Sequence, residues 1–321
     1  AIPAVPAPEF GQTMTRMASS TCSPEAESRL RRIFFITTKA TARFPGSPPV
    51  LCTTFRRPPP PSASYAGSWA DYDNDGYPDL FVFTYGNRTK NSLLHNQGDG
   101  TFTQITDGPI VNDSIAGARG AAWGDYDNDG FLDLFVANGS LFTPPKSNLL
   151  YHNNGDGTFT KITDGDIVTD IGGAWSGAWE DFDNDGFLDL FVANIRTNQN
   201  NALFRNNGDG TFTKVTTGSL VNDSGPSPGS AWGDYDNDGF PDLFVASAAG
   251  NRLYRNDGNG NNWITFKLQG RISNRSAIGA KVRVKAVLDR NLNPNPTWQM
   301  REISNGDSVS GNSPYPHFGL G

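Results

Sequence analysis

Acidic residues at fixed spacing give one short stretch of the chain the chemistry of a metal-binding loop. From Asp71 to Asp79 the sequence reads DYDNDGYPD. Carboxylates at positions 1, 3, 5 and 9 and a backbone carbonyl at position 7 would surround one point, and Gly76 permits the sharp turn. Such hard oxygen ligands suit Ca²⁺, whereas Mg²⁺ prefers fewer protein ligands and retains its waters. The stretch therefore predicts a calcium-binding loop.

The loop occurs four times. The pattern Trp-x-Asp-aromatic-Asp-Asn-Asp-Gly-x-x-Asp-Leu-Phe-Val has its first aspartate at Asp71, Asp125, Asp181 and Asp234, at spacings of 54, 56 and 53 residues. Each loop begins like an EF-hand, but its twelfth position, where an EF-hand has a bidentate Glu, is valine. The aspartate at position 9 must then close the site. Four copies predict about four Ca²⁺ ions, and the alternative is a set of Asp-Asn-Gly turns without metal.

The elements that must position these loops are short β-strands. A second string follows each copy, at 91–102, 148–159, 201–212 and, in degenerate form, 251–260. One repeat contains four runs rich in aromatic and β-branched residues, at 120–126, 132–138, 148–153 and 159–163. No sustained helical period occurs in this segment. The pattern predicts an all-β fold, a β-propeller-like repeat of four-stranded blades with Ca²⁺ loops, plus a small C-terminal β domain.

Composition divides the 321 residues into three segments. Residues 64–261, which hold the four repeats, contain 27 acidic and ten basic residues, whereas residues 1–63 and 262–321 each contain eight basic and three acidic residues. The acidic middle segment disfavours nucleic acid and anionic lipid as partners. No run of about 18 apolar residues occurs, so no membrane-spanning helix is expected.

The first segment is predicted to be an irregular, proline-rich arm, since residues 1–63 hold 11 of the 22 prolines. Cys22 and Cys52, the only cysteines, lack metal-ligand spacing and are either one disulfide or two thiols. The chain begins with Ala1, without an initiator Met or a leader-like apolar stretch. A mature terminus after signal removal and an arbitrary boundary both fit this beginning.

These loops and strings resemble the FG-GAP/VCBS repeats of integrin α-subunit propellers and their bacterial relatives, across residues 64–261. The resemblance implies calcium loops between the first two strands of each blade. Family propellers usually have seven blades, so four copies leave open a closed smaller ring, an open arc or a ring completed by a second molecule. The ligands that the resemblance implies, with a backbone carbonyl at the seventh position, are Asp71, Asp73, Asp75, Tyr77 and Asp79; Asp125, Asp127, Asp129, Phe131 and Asp133; Asp181, Asp183, Asp185, Phe187 and Asp189; and Asp234, Asp236, Asp238, Phe240 and Asp242.

The C-terminal segment is similar to the ASPIC/UnbV domain that follows such repeats in bacterial secreted proteins. The similarity lies in 251–256, 274–284 and the string from His317 to Gly321, HFGLG. In that family the domain normally continues past the Phe-Gly-Leu-Gly string, so residues 262–321 are interpreted as an incomplete ASPIC/UnbV-like domain.

Other repeated residues have structural or weaker functional interpretations. Trp69, Trp123, Trp179 and Trp232, two residues before each loop, and the equivalent phenylalanines Phe102, Phe159 and Phe212 favour packing between blades over carbohydrate stacking. His95 and His152 are replaced by Arg205 and Arg255 in later repeats, so they are interpreted as rim residues, and His317 as a packing residue. Asp99, Asp156 and Asp209 belong to Gly-containing hairpin turns, with a second ion site as the alternative.

The function expected from the resemblance is a secreted or cell-surface calcium-binding repeat protein. It would mediate adhesion or recognition of an extracellular protein or glycan, with calcium mainly structural. One alternative is a self-associating fibre or surface-layer subunit whose arm adds a strand to a neighbouring sheet. A second is a polysaccharide-active enzyme on a calcium propeller. The sequence shows no nucleophile elbow, zinc-protease motif or phosphate-binding glycine loop, and a non-enzyme is expected.

Overall fold

The structure, a computed structural model, describes residues 37–39, 63–85, 90–113, 118–139, 146–271, 274–288, 295–304, 310–311 and 313–321. Most of the predicted arm at 1–63, with Cys22 and Cys52, lies outside these residues. The regular secondary structure of the described residues is almost entirely β-strand. It contains no helix long and apolar enough to cross a membrane.

The first three repeats each form a four-stranded antiparallel sheet, here called a blade, with the strands in chain order. Blade 1 consists of β2 (Ala63–Ala70), β3 (Asp79–Tyr85), β4 (Ser92–Asn96) and β5 (Phe102–Ile105). Blade 2 consists of β6 (Gly120–Gly124), β7 (Asp133–Ala137), β9 (Leu149–Asn153) and β10 (Phe159–Ile162). Blade 3 consists of β12 (Ala174–Glu180), β13 (Asp189–Asn194), β14 (Ala202–Asn206) and β15 (Phe212–Lys214). The prediction of an all-β fold with four-stranded units is confirmed.

Blade 4 departs from the predicted pattern. Its repeat supplies only β16 (Gly229–Gly233), β17 (Asp242–Ala246) and β18 (Arg252–Tyr254), and β22 (Ser310–Gly311) joins β16 in parallel. The outer strand of earlier blades begins with a phenylalanine six residues after the turn asparagine, and Asn262 stands there in the degenerate copy. The following strand, β19 (Trp263–Thr265), pairs instead with β23 (His317–Gly319).

The remaining strands build small sheets. β20 (Lys281–Ala286) lies between β21 (Thr297–Glu302) and β1 (Thr37–Lys39). This part of the predicted arm therefore adds a strand to a sheet within its own chain. β8 (Lys146–Ser147) pairs with β11 (Ile171–Gly172).

The expectation of no helix between 64 and 261 is wrong at three places. One-turn helices follow the first three blades: α1 (Pro109–Asn112), α2 (Asp166–Thr169) and α3 (Ser219–Asn222). Each follows a glycine with positive φ, for example Gly108 at 100°. A single turn is too short to show helical periodicity, so the sequence pattern missed these helices.

The hydrophobic core lies between consecutive blades. Tyr72, Phe81 and Leu93 of blade 1 form one cluster with Leu134 and Tyr151 of blade 2. Equivalent clusters join blades 2 and 3 and blades 3 and 4. Strand residues alternate between the two faces of a blade, so blades 2 and 3 each pack one face on the preceding blade and the other on the following blade. The aspartate loop between the first two strands of each blade is held at this junction.

Candidate metal centres

The backbone of the four loops has the same bend. The asparagine at position 4 has a positive φ in every loop, 62°, 61°, 58° and 59° in chain order, and the glycine at position 6 has φ between 90° and 96°. Asparagine and glycine tolerate this left-handed region better than other residues. The Asn-Asp-Gly sequence therefore reverses the chain between the two strands that carry positions 1 and 9.

Backbone amides orient the carboxylates within each loop. In the first loop Asp71 accepts a hydrogen bond from the Gly76 amide at 3.2 Å, and Asp75 accepts one from the Tyr77 amide at 2.8 Å. Asp79 accepts one from the Tyr72 amide at 3.2 Å. The other three loops repeat all three bonds. The loop backbone thus orients the carboxylate side chains without the help of a bound ligand.

Three predicted carboxylates meet in each of the first three loops. One ligand atom from each of the residues at positions 1, 3 and 9 lies within 4.8 Å of the other two. The three groups are Asp71, Asp73 and Asp79; Asp125, Asp127 and Asp133; and Asp181, Asp183 and Asp189. In the first two loops the aspartate at position 5 meets that at position 3 together with a histidine, as Asp73, Asp75 and His95 and as Asp127, Asp129 and His152.

Several of these oxygens are enclosed and lack a donor. Among the described residues, buried oxygens that accept no hydrogen bond include Asp71 Oδ1, Asp125 Oδ2, Asp181 Oδ1 and Asp183 Oδ1. A buried carboxylate oxygen without a donor is costly. A bound cation supplies the missing partner, so the donor set fits an oxygen-liganded divalent ion such as Ca²⁺.

Burial also shifts the ionisation of the loop carboxyls. Desolvation raises the pKa of Asp79 and of Asp133 to about 7 each, and nearby carboxylates add to the shift. It raises the pKa of Asp125, Asp181 and Asp189 well above the ordinary 3.8, also beside neighbouring carboxylates. A cation in the loop opposes both effects, because it favours the charged form.

The aspartate at position 9 joins its loop to the second sequence string. Asp133, fully buried, accepts a hydrogen bond from the Asn153 amide at 2.8 Å. The Asn153 side chain donates to the Leu132 carbonyl of its own blade and to the Tyr72 carbonyl of the preceding blade. Asn206 and Asn256 repeat this arrangement. The loops of blades 2, 3 and 4 are therefore each coupled to the blade before them.

A second asparagine links each loop to the next one. The side chain of Asn74 donates to the Gly130 carbonyl at 3.1 Å, that of Asn128 to the Gly186 carbonyl at 3.0 Å, and that of Asn184 to the Gly239 carbonyl at 2.9 Å. Consecutive loops are thus connected in a chain of hydrogen bonds. The sequence repeats did not reveal this, because the bonds join residues about 56 positions apart.

The fourth loop is more open than the others. Its Asp236 is exposed and forms an ion pair with Arg255 at 2.6 Å, and Arg255 also contacts Asp238 at 3.1 Å. Hydrogen bonding and the charge of Arg255 lower the pKa of Asp236. Burial still raises the pKa of Asp234 and Asp242 above 3.8. Asp234, Asp236, Asp238 and Asp242 therefore form the least enclosed of the four loops.

Basic side chains face the loops, which the sequence analysis missed. His95 Nδ1 lies 3.1 Å from Asp73 and 3.2 Å from Asp79, and His152 repeats both contacts in blade 2. In blade 3 Arg205 lies 2.6 Å from Asp183 and 3.1 Å from Asp185. The shared property is a basic nitrogen beside the loop carboxylates rather than imidazole chemistry. The equivalent position of His95, His152, Arg205 and Arg255 in the second string was the signal available.

The C-terminal segment contacts the first three loops, the second through a hydrogen bond from Arg283 to the Gly130 carbonyl at 3.5 Å. Lys281 Nζ lies 3.0 Å from Asp71 Oδ2 and 2.6 Å from Asn74 Oδ1. The Gly319 amide donates to Asp181 Oδ2 at 2.9 Å, and His317 Nε2 lies 2.6 Å from Asn184 Oδ1. His317 is buried, as a packing residue would be. Sequence reasoning did not place this segment against the loops.

The tryptophans and turn aspartates that the sequence pattern repeats lie around the four loops. Trp123 and Trp179 pack between blades and stack on Tyr72 and Tyr126, with ring centroids 6.4 and 6.0 Å apart, and Trp232 is buried. Trp69 is instead exposed, because the described residues contain no blade before it.

The turn aspartates Asp99, Asp156 and Asp209 accept hydrogen bonds from the threonine two residues later, as in a hairpin turn. The carbonyls of Tyr77, Phe131, Phe187 and Phe240 remain predicted ligands.

Comparison with known proteins places these features in a family. The model of the FG-GAP-like repeat matches residues 59–136, 140–192, 181–245 and 234–282. Cartilage acidic protein 1 of Mus musculus is 30% identical over 259 residues, covering 75% of this chain and 37% of that protein. The Homo sapiens and Xenopus tropicalis proteins are each 29% identical and cover the same share of this chain, with 36% and 37% of their own length matched. The chain thus spans little more than a third of the length of these relatives.

A solved structure of the Photorhabdus luminescens Tc holotoxin pore also matches, with 19% identity, a TM-score of 0.32, and coverage of 75% of this chain and 11% of that one. The family model covers more than half of the chain and follows the four loops described above. This protein therefore belongs to the FG-GAP-like repeat family.

Proposed function

We propose that the protein is an extracellular calcium-binding recognition protein rather than an enzyme. In this proposal its loops bind about one Ca²⁺ each, at the aspartates and carbonyls named above, and the ions stabilise the blade array. The array and its attached C-terminal segment present a surface to an extracellular protein or glycan. The relatives named for cartilage, an extracellular matrix tissue, support a secreted or cell-surface location.

The observation that carries the calcium assignment is the enclosed, donor-free carboxylate oxygens at three loops. Asp71, Asp125 and Asp181, the first ligands of these loops, are each at least 95% buried and each contribute such an oxygen. Without a cation, each loop holds several acidic groups close together at a desolvated junction. Because the loops lie between blades, an ion bound there stabilises the packing of one blade on the next.

Thermal unfolding of the metal-stripped protein tests the calcium assignment. We expect a large rise in Tm with Ca²⁺, a much smaller one with Mg²⁺, and about four Ca²⁺ per chain by elemental analysis after dialysis. Equal effects of the two ions would argue against calcium-selective loops. The absence of both bound metal and a Tm shift would leave the loops as plain turns.

The recognition assignment needs a separate measurement. The calcium-loaded protein should be applied to arrays of extracellular matrix proteins and glycans, and the same glycans should be analysed for cleavage products. Calcium-dependent retention without cleavage is the expected result. Cleavage would support the polysaccharide-active alternative, and failure to bind any protein or glycan would contradict recognition while leaving the calcium assignment intact.

A further inference from the structure

The two ends of the blade array carry faces that are buried everywhere else in it. The face of a blade that packs on the preceding blade is here called its leading face, and the opposite one its trailing face. Blades 2 to 4 have a covered leading face and blades 1 to 3 a covered trailing face. The leading face of blade 1 and the trailing face of blade 4 have no neighbouring blade among the described residues.

The trailing face of blade 4 is exposed and apolar. Phe244 is 41% exposed, although the equivalent Phe81, Phe135 and Phe191 are all fully buried. Leu253 is 56% exposed, whereas its equivalents in the first three blades are at most 6% exposed. The loop aromatic of blade 4, Tyr235, is also exposed, while Tyr72 and Tyr126 each stack on the tryptophan of the next blade.

The leading face of blade 1 is exposed at two aromatic positions, although Leu94 on the same face is 4% exposed. Trp69 is 52% exposed, whereas the equivalent Trp179 and Trp232 are at most 6% exposed. Phe102 is exposed as well, although Phe159 and Phe212, which occupy its position, are buried against the loop tyrosine of the preceding blade at ring-centroid distances of 5.6 and 5.5 Å. Both partners of the aromatic contact therefore exist in one chain, at opposite ends.

Polar groups at the two ends match in the same way. Asn74, Asn128 and Asn184 each donate to a glycine carbonyl of the following loop, and the equivalent Asn237 of blade 4 faces solvent. At the other end Asn96 bonds the Pro78 carbonyl of its own blade, while its equivalents also reach the preceding blade. A blade placed against the trailing face of blade 4 would therefore meet in Asn237 the side chain that pairs consecutive loops inside the array.

We propose that the trailing face of blade 4 receives the leading face of blade 1 of a second copy of this chain, head to tail. This contact continues the three internal junctions, and both of its halves lie in one chain. Trp69 of one copy would stack on Tyr235 of the other, as the tryptophan of one blade stacks on the loop tyrosine of the preceding blade inside the array. Such a heterologous contact gives a ring if it closes and a filament if it does not.

Sedimentation velocity of the full chain in calcium, over a wide range of protein concentration, tests this contact. We expect concentration-dependent assembly. Leu253→Asp on the trailing face and Trp69→Asp on the leading face should each weaken it by about tenfold or more, since each removes apolar burial and adds a desolvated charge. Ile171→Asp is the control, because Ile171 is 60% exposed and belongs to neither face. Thermal melts in calcium establish that each variant is folded.

Mixing the two variants gives the decisive result. The Leu253→Asp chain keeps an intact leading face and the Trp69→Asp chain an intact trailing face, so an equimolar mixture should form a complex that neither variant forms alone. A wild-type chain that stays monomeric at every concentration would overturn the proposal. A mixture that fails to recover association, or an equal loss with Ile171→Asp, would also overturn it.

Discussion

At the residue scale, the aspartate at position 9 is the most constrained of the predicted ligands in each loop. Asp133 is fully buried and accepts hydrogen bonds from the amides of Tyr126 and Asn153. Burial raises its pKa to about 7, so its charge opposes folding unless a cation is bound. If the loop binds calcium as proposed, the same carboxylate is unfavourable in the metal-free protein and favourable in the calcium-loaded one.

The substitution Asp133→Asn separates these two contributions. Above pH 7 we expect it to leave the metal-free protein as stable as wild type or more so, because a buried charge is removed. With calcium, we expect a loss of about 1 to 3 kcal/mol in unfolding free energy, because a charged ligand is lost. Chemical denaturation with and without calcium measures both effects. Asp156→Asn, at an exposed turn, is the control, and a calcium-independent effect of Asp133→Asn would contradict a ligand role.

The raised carboxyl pKa values also predict how calcium stabilisation depends on pH. Asp79 and Asp133 titrate at about 7 when folded and have an ordinary value of 3.8. Their contribution to metal-free stability is complete below pH 3.8 and is lost as the pH rises through 7. Calcium requires the carboxylates, so the calcium-induced gain in unfolding free energy should grow from pH 5 to pH 8.

The quantity to measure is the calcium-induced gain in unfolding free energy, rather than the unfolding free energy itself. Burial lowers the pKa of His317 to about 3. Taken by itself, this group makes the unfolding free energy rise with pH between its folded pKa of about 3 and its ordinary pKa of 6.5. That contribution is common to the two forms and cancels in their difference. Denaturation at matched pH values provides the comparison, and a calcium gain that does not change with pH would exclude protonated carboxyls at the loops.

At the element scale, the C-terminal strand β23 is fitted closely to the third loop. A Cβ on Gly319 would lie 2.3 Å from the Asn184 carbonyl carbon and 2.3 Å from Asp181 Oδ2. Backbone cannot move aside as a flexible side chain can. The Phe-Gly-Leu-Gly string thus has a steric reason for its first glycine, and the C-terminal segment depends on loop 3 for its position.

Gly319→Ala should therefore destabilise the protein by about 1 to 3 kcal/mol through overpacking. It should also weaken calcium binding at loop 3, because β23 donates a hydrogen bond to Asp181. Gly233→Ala in β16 is the matched control, since a Cβ there meets no atom within 4 Å. Denaturation and calcium titration of both variants give the test, and similar behaviour of the two would show that β23 is not tightly seated.

The junctions between blades provide another matched pair. Asn153 is buried and its amide group donates to carbonyls of two blades, whereas the Asn96 side chain donates to the Pro78 carbonyl of its own blade. Asn153→Ala leaves two buried carbonyls without a donor and should cost about 2 kcal/mol or more, while Asn96→Ala should cost about 1 kcal/mol. Equal losses in unfolding free energy would mean that the bond between blades contributes nothing measurable.

Sequence patterns predicted the strands and the loop backbone because both depend on neighbouring residues. Runs rich in aromatic and β-branched residues predicted the strands, and the glycine at position 6 predicted the sharp turn that the positive φ of Gly76 shows. The position of His95 beside Asp73 depends on the register of β3 and β4, which no local pattern specifies. The same holds for Lys281 and Gly319, which approach the loops from more than 130 residues away in sequence. The ligand role of the loop carboxylates stays a prediction.

At the scale of the whole molecule, the protein is an array in which each blade is stabilised by its neighbours. Stability in such arrays is approximately a sum of contributions from each unit and from each junction. The three junctions described here combine an apolar cluster, a stacked or edge-on aromatic pair, and two asparagine bonds. The same substitution should then have different effects inside the array and at its end.

The tryptophan at the start of each loop tests this dependence on position. Trp179 is buried between blades 2 and 3, and its Nε1 donates to the Ala122 carbonyl at 3.1 Å, whereas Trp69 occupies the same place at the exposed leading face of blade 1. Trp179→Ala should lower the unfolding free energy by about 3 to 5 kcal/mol, and Trp69→Ala by about 1 kcal/mol or less. Denaturation at low protein concentration, in calcium, measures both values without a contribution from association. A loss at Trp69 as large as that at Trp179 would mean that another part of the chain covers this face, and the array would then not end at blade 1.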